Sequence, residues 1–167
     1  MNVLAIVTVV FSSFAIAFLT IRKEIIHCKH LNMILNLISA IKNKAMFYNI
    51  PFAEIVMQLQ NEDAFRSYSL LYLFMQEMKS GMTVPEAWKN ANIHSDLVLE
   101  DHERNILTQF GKDMCNCSRD QIQGISDRAI CELIELRNSA DEKRKVRSKS
   151  TAAVIISVGL MIVLVFV

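Results

Sequence analysis

The stretch Glu100-Asp101-His102-Glu103-Arg104 sets carboxylates beside an imidazole, the raw material of general acid–base catalysis. From His102 the order begins like the helical zinc-protease motif H-E-x-x-H, but Ile106 stands where the second histidine must be, so a pair of ligands one turn apart is missing. On a helix Glu100 and Glu103 share a face with Arg104 and Lys112 near it, and the simpler reading is a solvated charged face. Such a face can still dock a partner, which makes Glu100, Asp101, Glu103, Arg104 and Lys112 candidate partner-binding residues. Trp88, the sole tryptophan, joins them as a candidate anchor, with core packing as the simpler assignment.

Metal ligands could be sought in His27, Cys28 and His30, or in Cys115 and Cys117. Structural zinc sites draw on pairs spaced C-x2-4-C or H-x3-5-H, and neither H-C-x-H nor C-x-C fits. No glycine-rich phosphate loop is present, so ATP-dependent work would have to come from a partner. The expectation is a protein with no metal, no cofactor and no enzymatic activity of its own. A net charge of +1 gives no reason to expect nucleic-acid binding.

The 18 basic and 17 acidic residues all lie between two uncharged stretches, Asn2 to Ile21 and Ser150 to Val167. At about 1.5 Å per residue, about 20 apolar residues cover the roughly 30 Å hydrocarbon core, so residues 1–21 and 150–167 are expected to be transmembrane helices. Ala15 and Ala17 form an A-x-A pattern, but no basic region precedes the apolar run and Arg22 and Lys23 follow it, which suits an uncleaved anchor. Arg22, Lys23 and Lys29 on one side and Lys143, Arg144, Lys145, Arg147 and Lys149 on the other flank the inner ends of the spans. Basic flanks stay cytoplasmic, so residues 22–149 should face the cytoplasm with both termini outside, the basic flanks meeting anionic headgroups of the bilayer. Four cysteines in such a domain read as reduced thiols. Ser13 with Ala17 and Ala153 with Ser157 have the small-residue spacing that lets helices pack closely within a membrane.

Between the spans apolar residues recur at three and four, which predicts an all-α bundle of about six helices. The first continues out of the membrane with Leu31, Ile34, Leu35, Ile38, Ile41 and Ala45 on one stripe, and ends where Pro51 restricts the residue before it. A short helix over 52–60 follows, then one over 64–79 whose run Leu70 to Met75 is apolar on every face and should be the buried centre of the bundle. Gly81 terminates it, and Thr83 with Glu86 forms a capping box that opens a fourth helix through Trp88. The segments Asn49 to Val56 and Met82 to Lys89 echo each other as proline-started helices with shared capping chemistry. A fifth helix is expected from Ser95 or Asp96, with Gly111 either ending it or permitting close packing. The sixth opens at Ser118 with Gln121 in capping-box spacing and carries Ile122, Ile125, Ala129, Ile130, Leu133, Leu136 and Ala140 on one stripe. Because no proline or glycine follows Gly124 before the second span, this helix should run unbroken into the membrane.

The layout of two spans around a helical domain, with GMTVPEAW at Gly81 to Trp88 and ILTQFGKDM at Ile106 to Met114, resembles the stage III sporulation protein AB family of endospore-forming bacteria. Gly81, Glu86, Ala87 and Trp88 match that family's glycine and capped E-A-W helix, Phe110 and Gly111 its F-G, and Gln123 a glutamine early in its last helix. Met114-Cys115 and Ser118, and Ser150-Thr151, stand where the family usually carries Leu-Gly pairs and an Asp. The family is in turn similar to the inner-membrane platform proteins, the F family, of type II secretion and type IV pili. The resemblance implies a non-enzymatic platform of the channel complex between mother cell and forespore, seated in the mother-cell membrane around the forespore. Its implied partners are a secretion-type ATPase and other membrane proteins of the complex, with self-association left open. The alternative is a two-span membrane sensor or small enzyme whose helical domain binds a ligand.

Overall fold

The computed structural model describes the backbone of residues 2–48 and 50–166 and the side chains of residues 19, 21–48, 50–142 and 145–146. Among the described residues there are six helices and no strand: α1 Asn2–Tyr48, α2 Phe52–Gln60, α3 Ser69–Lys79, α4 Val84–His94, α5 Asp101–Asn116 and α6 Arg119–Phe166. The all-helical expectation therefore holds, and α6 is unbroken, as expected from the lack of proline and glycine between Ile125 and the second uncharged stretch.

The chain divides into two compact units, one of Met1–Cys28 with Asn138–Val167 and one of Lys29–Arg137. In the first unit Arg22 and Lys23 are exposed and Lys145 pairs with Asp141 at 2.8 Å, one helical turn away. The side chains of Lys143, Arg144, Arg147 and Lys149, and nearly all of the two uncharged stretches with their small residues, lie outside the described residues. Among the described residues no helix is long and apolar enough to cross a membrane.

The second unit is built around one apolar core. Helix α1 contributes Leu31, Ile34, Leu37, Ile38, Ile41 and Ala45, all buried, so Leu37 belongs to the stripe while the expected Leu35 is only half-buried. Each such side chain contributes on the order of 1.5–3 kcal/mol through burial. Helix α6 supplies Ile122, Ala129 and Leu133, with Ile125, Ile130 and Leu136 at the core's margin. Ion pairs from Lys42 to Asp127 at 2.6 Å and from Lys44 to Glu62 at 2.9 Å bridge distant parts of the chain, and being half exposed each is worth roughly 0–1 kcal/mol. The guanidinium of Arg119 donates to the carbonyl of Met46 at 3.1 Å, satisfying an end of α1 that has no further turn to bond to.

Two helix boundaries and two local readings differ from the sequence expectation. Helix α3 begins at Ser69, not Ala64, because Phe65, Arg66 and Tyr68 close successive turns onto Glu62 and Phe65, and the rings of Phe65 and Tyr68 meet edge to face. Its run Leu70 to Met75 buries Leu70, Leu71 and Phe74 but leaves Tyr72 exposed, so it has an outer face after all. Helix α5 begins at Asp101, five or six residues later than expected, since Asp96 to Glu100 form no regular secondary structure and the Val98 amide donates to His30 Nδ1 at 2.8 Å. The echo between α2 and α4 is also shallower than expected. Pro51 caps α2 only through its carbonyl, whereas α4 has a full Thr83–Glu86 capping box with Pro85 inside its first turn.

Candidate functional site

Helices α4 and α5 pack face to face, and the contact is set by Gly111. A Cβ at Gly111 would fall 2.1 Å from Cδ1 of Trp88, a separation no carbon pair tolerates, so glycine is what lets the indole lie on the α5 backbone. Of the two readings of Gly111, close packing is therefore correct, since α5 continues to Asn116. The Trp88 Nε1 then donates to the Leu107 carbonyl at 2.7 Å, which meets the hydrogen-bonding need of a buried indole. Phe52 and Phe74 meet the indole edge to face at 5.1 Å and 6.0 Å, and Phe110 meets Phe52 at 6.4 Å.

One turn further along, Asn92 is fully buried and its Nδ2 donates to the Arg104 carbonyl and to Thr108 Oγ1, both at 2.8 Å. Arg104 answers with its guanidinium, one nitrogen donating to the Asn92 carbonyl and the other to the Leu97 carbonyl at 2.6 Å. A cation on the Asn92 carbonyl, in the last turn of α4, offsets the negative end of that helix. Glu103 is only 2 % exposed, and its carboxylate accepts from the Glu100 amide at 2.8 Å to close the start of α5.

The five-residue charged stretch thus separates into two groups. Glu103 is buried and closes the start of α5, and the half-buried Arg104 holds the segment between α4 and α5 through its bonds to the Asn92 and Leu97 carbonyls. Trp88 is likewise fully buried and is a core residue, not a surface anchor. Glu100, Asp101 and His102 remain exposed at the positive end of α5, and Lys112 is exposed farther along it.

The residues matched to the family divide in the same way. Gly81 has a φ of +89° and closes α3 with the Gly81 amide on Met78 and the Met82 amide on Glu77, the arrangement that an αL glycine makes possible. Glu86 bonds the Thr83 hydroxyl at 2.6 Å and the Thr83 amide, and these bonds hold its carboxyl below the usual range. Ala87 and Phe110 are buried. Gln123 is exposed.

Among the described residues no group of three or more His, Cys, Asp or Glu is placed to hold a metal. His30 instead accepts the Val98 amide. All four cysteines are free thiols, with Cys115 pushed up to about 11 by burial and then by Cys117. The feature that sequence reasoning missed is the end of α1, where Phe47 is 83 % exposed beside exposed Met46 and Tyr48. Its signal was the departure of three consecutive apolar residues from the stripe that ends at Ala45.

The model of the stage III sporulation protein AB family matches residues 2–167. Among curated proteins none matches the sequence significantly. A solved structure of a stage III sporulation protein AB is similar in fold, with a TM-score of 0.56 and 17% identity, covering 72% of this chain and 98% of that one.

Proposed function

The chain belongs to the stage III sporulation protein AB family, and from that premise we propose that it is a membrane-held platform of a sporulation channel complex that docks a cytoplasmic secretion-type ATPase. The observation that carries the reading is the family match across nearly the whole length, uncharged stretches included. The basic flanks Arg22, Lys23 and Lys143 to Lys149 support an arrangement with the helical unit in the cytoplasm and both termini outside. In this reading Glu100, Asp101 and Lys112 form the docking surface, and α6 transmits the partner's ATP-driven movement towards the bilayer around the forespore. The unbroken helical backbone from Arg119 to Phe166 supports such transmission, because a helix resists bending where a flexible linker would absorb motion.

The arrangement is tested by reporters that are active only in the cytoplasm. Inserted after Ser80 in the helical unit, the reporter should be active in sporulating cells, and fused to either terminus it should be silent. Activity at both termini would overturn the two-span reading.

A further inference from the structure

The strongest unassigned feature is a recess of about 410 Å³ between the end of α2, the turn that follows it and the outer face of α3. Its size lies within the roughly 300–1,000 Å³ of ligand sites, and it is open along one side, which suits a chain segment crossing it better than an enclosed small molecule. Two cations line it, Arg66 from the turn and Lys79 from the last turn of α3. Both are exposed, and neither is paired with a carboxylate among the described residues. None of the described lining residues is acidic, and the nearby Glu62 is engaged with Lys44.

The remaining lining defines the rest of the ligand. Met57 and Met75 give it an apolar, adaptable floor. Tyr72 is 54 % exposed, and its hydroxyl accepts from Gln76 Nε2 at 2.7 Å, so the ring is held at the rim as a rigid contact. Gln60 and Gln76 complete the lining with neutral amides. A peptide supplies both complements at once: carboxylates for the cations and an apolar side chain for the methionines. By contrast, the groove between α5 and α6 mixes Asp113 and Glu132 with Arg128, and its Asp113 is already bonded by Gln109, so it favours no sign of charge.

We propose that the α2–α3 recess binds an acidic peptide segment of a partner protein, an apolar side chain flanked by carboxylates, through Arg66 and Lys79 with Met57 and Met75. The surface is separate from the exposed start of α5, so it stands or falls independently of the ATPase docking proposed above.

The test selects a random peptide library on the full chain in detergent and measures the affinity of enriched peptides by fluorescence anisotropy. Enriched peptides should carry Asp or Glu beside Leu, Ile or Met, and their affinity should fall as ionic strength rises. They should bind R66E/K79E about tenfold or more weakly, R66Q/K79Q more weakly than the parent, and K89E, which reverses an exposed lysine on α4, as tightly as the parent. Both double variants replace exposed side chains and are checked for unchanged helical content. Enrichment of neutral or basic peptides, or equal binding to R66E/K79E and the parent, would overturn the proposal. So would self-association of the parent that R66E/K79E abolishes, since a second copy of the chain would then be the occupant.

Discussion

At the residue scale the fold turns on Trp88 and Gly111. Adding a methyl at Gly111 forces the indole or α5 to move, so Gly111→Ala should destabilise by about 1–3 kcal/mol, read by denaturant unfolding. The loss should be smaller in a Trp88→Phe background, because the narrower ring leaves room for the methyl; equal losses in both backgrounds would mean the contact is not the cause. A second expectation concerns the thiols. Cys131 is exposed while burial raises Cys115 to about 11, so at pH 8 iodoacetamide should label Cys131 first and Cys115 last. Because the folded value of Cys115 lies above its ordinary 9, its contribution to stability is fully present below about pH 9 and is lost as pH rises through about 11. Core packing is the simpler reading of Trp88 in the sequence, as the sole tryptophan on a short capped helix, and the indole is fully buried. The dual use of the charged stretch is not legible there. Glu103 and Arg104 look like surface residues until the carbonyl of Leu97 and the amide of Glu100 are brought to them, and those atoms have no sequence signature.

At the element scale the capping signals read true and the apolar periodicity over-reached. Gly81, the Thr83–Glu86 box and the Ser118 amide bonded to Gln121 Oε1 at 3.1 Å all stand where spacing predicts. Replacing Gly81 by Ala should cost on the order of 1–2 kcal/mol, since its φ of +89° strains an L side chain although open space surrounds the position. The start of α5 comes later than the spacing predicts because the Val98 amide is taken by His30 and the Leu97 carbonyl by Arg104, tertiary bonds that replace a helical turn. That late start leaves Asp101 at the first exposed position of α5. Asp101→Lys should therefore weaken ATPase binding while leaving the melting temperature within a few degrees, the loss of a helix-dipole partner being worth about 0.3–1 kcal/mol. Unchanged affinity would remove this surface from the docking role. For α6, a Gly-Ser stretch inserted near Asp141 should abolish sporulation while the protein stays abundant; normal sporulation would exclude transmission along the helix.

At the scale of the whole molecule, the core of residues 29–137 explains itself by ordinary means: apolar stripes on α1 and α6, an aromatic cluster around Trp88, and side-chain caps at the starts of α4, α5 and α6. What it leaves over is a surface with an acidic start of α5, an exposed Phe47 and a cationic recess between α2 and α3. The family match gives that surface its setting in stage III of sporulation, and the proposed platform role gives it a motor to meet. Purifying the tagged full chain from membranes of sporulating cells, and identifying what comes with it, tests that role most directly. The account predicts a secretion-type ATPase in the eluate, reduced when Asp101 is replaced by Lys. Abundant chain in the membrane fraction with no ATPase attached would contradict it.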